Sequence, residues 1–268
     1  MNPSQKNGPL PTLEAALEAL ESDADTALKA LGNALKAAKR VKTAAAYGQA
    51  REIALALEAA SATAAQAADT VEELRQGWRF DVAGYFTSGG YTKELLASAA
   101  EAGVAAFESD ERILSYPVIV EVSPDATVVV DKKKDRRVRP SVVVAHLESL
   151  QQRPPKFKAD AFIESLAAGY DLVVAAKGLR TSSAARLVDV HRVLTLLPGA
   201  ARDYTRQELA RDIYLLDQSG VVDTKDARRM TLPASALTRS GGTLTTVTKS
   251  GQTKVYAGVA FAGTATFK

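Results

Sequence analysis

Two alanine-rich stretches, residues 12–46 and 49–76, carry apolar positions at heptad spacing. In the first, one row runs Leu17, Ala24, Leu31, Ala38, Ala45 and another Leu20, Ala27, Ala34, Val41. In the second, the rows are Ile53, Ala60, Ala67, Leu74 and Leu57, Ala64, Val71. A heptad sustained over this length lays an apolar seam along a helix, and another helix must cover it. Continuing the first rows lands on Gly48 and Glu52, so the two registers do not join. The pattern predicts a break near Tyr47-Gly48 and a coiled-coil-like helical hairpin over residues 12–79. Alanine favours helix but buries little area. Such a hairpin is expected to lean on the following domain or on a partner.

Residues 1–11 contain Pro3, Gly8, Pro9 and Pro11 and read as a disordered lead. Phe80, Tyr85, Phe86 and Tyr91 gather around Gly84, Gly89 and Gly90, an aromatic, turn-rich junction where the hairpin meets the next part. A helix is expected over 92–108, with Leu95, Leu96, Ala99, Val104 and Phe107 on its apolar side. The period then changes. Residues 114–122 and 126–131 are rich in Val and Ile around the turn Ser123-Pro124-Asp125, a β-hairpin extended at 136–138. Pro140 starts a helix that runs to about Gln151, and Arg153-Pro154-Pro155 stops it. Helices follow at 159–176, 182–197 and 205–219. The last opens on a capping box, Thr205 to Glu208, and stops at Gly220. Residues 221–243 read as loop with short extended pieces, and strands at 243–248 and 253–261 flank Lys249-Ser250-Gly251-Gln252. The fold class is α+β, predominantly α. Its parts are the hairpin at 12–79, a mixed α/β segment at 80–152 and a helical domain with a β-hairpin at 153–268.

Charge changes the picture at one place. Residues 131–139 hold Lys132, Lys133, Lys134, Arg136, Arg137 and Arg139 against Asp131 and Asp135, a net +4 in a chain of net +3. The rest of the chain therefore sums to −1, and the basic character is concentrated at this spot. Six cations so close together suit a polyanion, nucleic acid included, by neutralising phosphates. No aromatic side chain interleaves with them, so base stacking is not suggested. A second basic loop holds Lys225, Arg228, Arg229 and Arg239.

No catalytic, cofactor or metal site emerges. The chain has no cysteine, which excludes disulfides, thiolate metal sites and a cysteine nucleophile. Gly84 to Gly89 has the glycine spacing of a P-loop, but Gly90-Tyr91 stands where Lys-Ser/Thr is required. Asp125, Asp131 and Lys133 superficially spell a metal-nuclease signature. An extended strand between the two aspartates would hold them about 20 Å apart, and Glu121 is expected at the Asp125 end. His146 and His191 each sit among apolar residues of a helix. His146-Leu147-Glu148 lacks the paired cysteines of a zinc deaminase. The polar start and the lack of a long apolar run favour a cytoplasmic, bacterial-type protein without a membrane span.

The C-terminal order of three helices and a β-hairpin, over roughly residues 159–261, resembles a winged helix. That resemblance implies DNA reading through the third helix or use as a protein-docking module. The third helix sets Arg206 and Arg211 against Glu208, Asp212 and Asp217, a balance that suits docking better. The function expected is a non-enzymatic interaction or adaptor protein. It contacts another protein through the hairpin and an anionic surface through the 132–139 cluster. The alternatives are a DNA-binding regulator or accessory subunit of a DNA-processing complex, and an unrecognised metal-dependent nuclease or hydrolase.

Overall fold

The computed structural model describes residues 12–233 and 242–263. The lead at 1–11 and Arg239 lie outside them. The chain divides into two compact units, one ending at Glu94 and one beginning at Leu95. The whole is α+β with helix predominating. No described helix is long and apolar enough to cross a membrane.

In the first unit, α1 (Leu13–Ala46) and α2 (Ala50–Gly77) pair as the expected hairpin. The chain reverses through Tyr47, Gly48 and Gln49, and Gly48 adopts φ +66°, a left-handed conformation that favours a residue without Cβ. The buried and half-buried seam runs Leu20, Ala27, Ala30, Ala34, Ala37, Val41, Ala44 on α1. On α2 it runs Ile53, Ala56, Ala60, Thr63, Ala67, Thr70, Leu74. One expected row on each helix is therefore correct. Of the other row on α1, Leu17 and Ala24 are half-buried as expected, but from Leu31 on it is displaced by one residue: Leu31, Ala38 and Ala45 are exposed, as are Leu57, Ala64 and Val71 of α2. The reason is size. Alanine and threonine let the backbones approach closely along the middle of the hairpin, where leucine would hold them apart, so the larger seam residues, Leu20, Val41, Ile53 and Leu74, lie toward its two ends.

The segment after α2 is more helical than its glycines suggest. It forms α3 (Val82–Thr87) and the start of α4 (Gly90–Glu101). Asp81 caps α3 by accepting from the Gly84 N–H at 2.9 Å. Phe80 meets Tyr85 edge-on, and Phe86 stacks on Tyr91 with ring centroids 4.2 Å apart. The buried Glu94 carboxylate closes the unit. Its two oxygens accept from the Leu13 N–H at 2.9 Å and the Glu14 N–H at 2.8 Å, and Tyr85 donates its hydroxyl at 2.8 Å. Thr12 accepts from Ala15, so the otherwise unmet donors of the first turn of α1 find partners. Burial and the neighbouring Glu94 push the Tyr85 phenol up to about 12.

The second unit opens with a five-stranded antiparallel meander. Its strands are β1 (Phe107–Ser109), β2 (Arg112–Ser115), β3 (Val118–Ser123), β4 (Thr127–Val130) and β5 (Lys133–Asp135). Three expectations change here. The helix drawn to 108 ends at Glu101, with Gly103 at φ +70°, and Phe107 belongs to β1. The strand drawn over 114–122 is two strands folded at Tyr116-Pro117. The extension placed at 136–138 is Lys133–Asp135, reached through Asp131-Lys132. Both turn residues have positive φ, 46° and 68°, as a two-residue type I′ hairpin requires. The expected α5 (Pro140–Gln151) follows, with proline in its first turn.

Then come α6 (Ala159–Lys177), β6 (Ala185–Arg186), α7 (Leu187–Leu194), α8 (Ala200–Asp203) and α9 (Arg206–Ser219). The chain continues with β7 (Arg228–Thr231), β8 (Leu244–Val247), β9 (Thr253–Tyr256) and β10 (Gly258–Gly263). The helix drawn over 182–197 is shorter because β6 occupies its start. The loop expected over 221–243 contains β7, one short extended piece of the kind expected there. The long final strand divides: β9 pairs with β8, whereas β10 runs antiparallel between β6 and β7. Helix, strand, helix, helix, strand and a last strand lying centrally is the winged-helix order, with β8 and β9 inserted where the wing belongs. Leu166, Tyr170, Leu187, Val190, Leu209, Ile213, Leu216, Val259 and Phe261 form its core. Thr205 and Glu208 make the expected capping box of α9, and Gly220 ends it at φ +76°.

Helices α6 and α7 touch closely at Gly169. A Cβ there would lie 3.1 Å from Val190 Cγ1 and 3.3 Å from Leu194 Cδ2. Gly169→Val should overpack this crossing and lower stability by about 1–3 kcal/mol. Chemical denaturation measures it, and a variant as stable as the parent would contradict the crossing.

Candidate functional site

The basic cluster is spread over three settings. Lys132 lies in the β4–β5 turn, Lys133 and Lys134 lie on β5, and Arg136, Arg137 and Arg139 lead into α5. Much of its charge is used within the chain. Lys132 pairs with Glu208 at 3.0 Å and donates to the Asp203 carbonyl. Lys134 pairs with Asp125 at 2.6 Å. Arg137 makes a two-pronged bond to Asp135, which holds that carboxyl down at about 2. Arg139 is the N-cap residue of α5. Lys133 and Arg136 are exposed. Lys133 also lines a groove of about 420 Å³ with Arg153, Lys156, Lys158 and Arg211, facing Asp131 and Asp212. The sequence distances between these cations hid this grouping.

Of the second basic loop, Arg228 pairs with Asp171 at 2.7 Å and with Asp226, and lies over the Phe261 ring. The Lys225 N–H donates to Glu164. Arg229 is an exposed residue of β7.

Helix α9, where a winged helix reads DNA, is packed on nearly every side. Glu208, Leu209, Ala210, Ile213, Tyr214, Leu215 and Leu216 are all buried. Strand β8 covers one flank. The strand loops clasp another: Arg211 pairs with Asp131 at 2.7 Å, Arg112 reaches Thr205 at 3.3 Å, and Gln207 reaches Asp110 at 3.0 Å. Arg211 also holds Asp212 at 2.9 Å, and Tyr204 donates to the same carboxylate at 3.0 Å. Burial raises Asp212 despite Arg211 and Tyr204. Burial would raise Glu208 too, but the Thr205 N–H and Lys132 hold it below the ordinary glutamate value. This charged network ties the meander to the helical part of the same unit.

The other candidate groups are dispersed. Asp125 and Asp131 flank β4 at its opposite ends, and Asp125 is held by Thr127 and Lys134. Glu121 corrects the expectation. It lies across from Val129, toward Asp131, and pairs with Arg112 at 3.2 Å. Among the described residues no group of three His, Asp or Glu side chains is placed to hold a metal ion. His191 is buried and donates from Nε2 to the Tyr204 carbonyl at 2.8 Å. The P-loop-like glycines fall in and around α3.

Large apolar side chains stand exposed along the hairpin. Leu28, Leu31 and Leu35 of α1 are 65%, 47% and 58% exposed, and Leu57 and Val71 of α2 are 52% and 42% exposed. These residues share one side. Arg40 and Thr43 of α1 line a groove on the other side with Glu52, Leu55 and Ala59 of α2. In an antiparallel pair the positions just past the seam in the opposite sense must therefore converge on the first side. No family model matches the chain, and no curated protein or solved structure matches it.

Proposed function

We propose that this protein is a non-enzymatic interaction or adaptor protein of a cytoplasmic bacterial complex, and that the apolar side of its helical hairpin is the docking surface. The observation that carries this is the inversion of the seam. Alanine and threonine fill the middle of the α1–α2 contact, while Leu28, Leu31, Leu35, Leu57 and Val71 face outward on one side. Apolar area of that size in water is the driving force for association.

The test compares the full chain with its Leu28→Glu/Leu31→Glu/Leu57→Glu variant by light scattering and by pull-down from the native host. Association that is lost in the variant at unchanged helical circular dichroism supports the reading. A parent chain that is a lone monomer and retains no partner rejects it.

An anionic second partner is favoured by the groove that brings Lys133, Arg153, Lys156, Lys158 and Arg211 together. Nucleic acid in that groove would be held by its backbone and released steeply by salt. Neutralising Lys133, Arg153, Lys156 and Lys158 should then abolish a gel shift, and an unchanged shift would reject this groove as the contact.

A further inference from the structure

The outward side of α1 has an internal symmetry centred on Leu31. Leu28 and Leu35 flank it, and all three are exposed. Charge is graded along the same helix: residues 13–35 carry five anions and one cation, and residues 36–46 carry four cations and no anion. The bias extends to the whole hairpin. Residues 36–59, around the tip, hold five cations and two anions, while residues 13–35 and 60–77 hold two cations and eight anions.

We infer that this side binds a second copy of the same chain, antiparallel, about a two-fold axis near Leu31, to make a four-helix bundle. The inference rests on the interaction reading above and names its occupant. With the copies reversed, Leu31 meets Leu31 and Leu28 meets the second copy's Leu35. The cationic tip lies over the anionic base. A parallel overlay would set cationic tip on cationic tip and anionic base on anionic base, which repels. Such a self-complementary patch is what a two-fold interface needs. A helix of the length of α1 spans about 50 Å, and two side by side are about 20 Å wide, a footprint of about 1,000 Å². That exceeds the roughly 800 Å² per partner of a stable interface.

The chain has no cysteine, so introduced ones report the geometry without background. Under mild oxidation Leu31→Cys should link to itself and Ala38→Cys should not, while a mixture of Leu28→Cys and Leu35→Cys chains should link to each other. Light scattering should give twice the 28.4 kDa chain mass. Leu31→Glu should give a monomer of unchanged helicity, and high salt should weaken the dimer several-fold. Self-linkage of Ala38→Cys as fast as Leu31→Cys overturns the antiparallel assignment. A dimer that survives Leu31→Glu places the contact elsewhere. A parent monomer that captures a different chain through Leu31 overturns the self-association and leaves the docking reading standing. A monomer that captures nothing overturns both.

Discussion

Arg211→Met should lower the stability of the second unit by about 3 kcal/mol at neutral pH, because removing one partner of a buried pair leaves the other charge uncompensated. For a unit of that size the melting temperature should fall by roughly 6–12 °C. The Arg211 and Asp212 side chains are 19% and 13% exposed, so solvent screens them little. The pH dependence has a definite sign. Asp212 is raised in the folded chain, chiefly by burial and in spite of Arg211. A carboxyl raised by folding contributes stability below its unfolded value and loses it as pH climbs through the folded value. Without Arg211 the rise grows, so the deficit relative to the parent is largest near neutrality and shrinks toward pH of about 4. Arg211→Met/Asp212→Leu should recover most of the loss. Melting curves at several pH values check this, and a deficit that does not vary with pH would contradict it.

Glu94→Ala should cost the first unit about 2–3 kcal/mol, as expected when hydrogen bonds to a charged, buried group are removed. It strips acceptors from the Leu13 and Glu14 N–H groups and from the Tyr85 hydroxyl together. Amide hydrogen exchange should accelerate at Leu13 and Glu14 and much less at Ala37 or Ala44, deep in the seam. Glu94→Gln keeps one carbonyl acceptor and should fall between the two. Equal protection of the first turn in parent and Glu94→Ala would reject the role given to this carboxylate.

How much of this could be read from the chain follows from how local each signal is. The hairpin, α5, α6 and α9 were legible because period, proline and caps lie within a few residues of one another. The seam rows missed by one residue because both helices are so rich in alanine that hydrophobicity does not rank neighbouring rows. Leu31, Leu57 and Val71 looked like core, yet their smaller neighbours Ala30, Ala56 and Thr70 take the places between the backbones. Val104 and Phe107 sit at helical spacing and disguised β1. The polar edge strand β5 and the arginine-led β7 carry no apolar alternation to betray them. The charged network is a product of tertiary placement. Asp131 and Arg211 are far apart in sequence, and nothing around either marks the other. The same distance concealed the groove shared by Lys133 and Lys156.

The alanine seam has a consequence for alignment. Successive layers of near-identical small side chains are interchangeable, so sliding one helix along the other by a heptad replaces like with like through most of the contact. The core therefore says little about where the two helices stop against each other. That decision falls to the two ends, the short Tyr47-Gly48-Gln49 connection at one and the Glu94 clasp on Leu13 and Glu14 at the other. The hairpin behaves as a vernier whose scale is nearly blank and whose setting is fixed by its end stops.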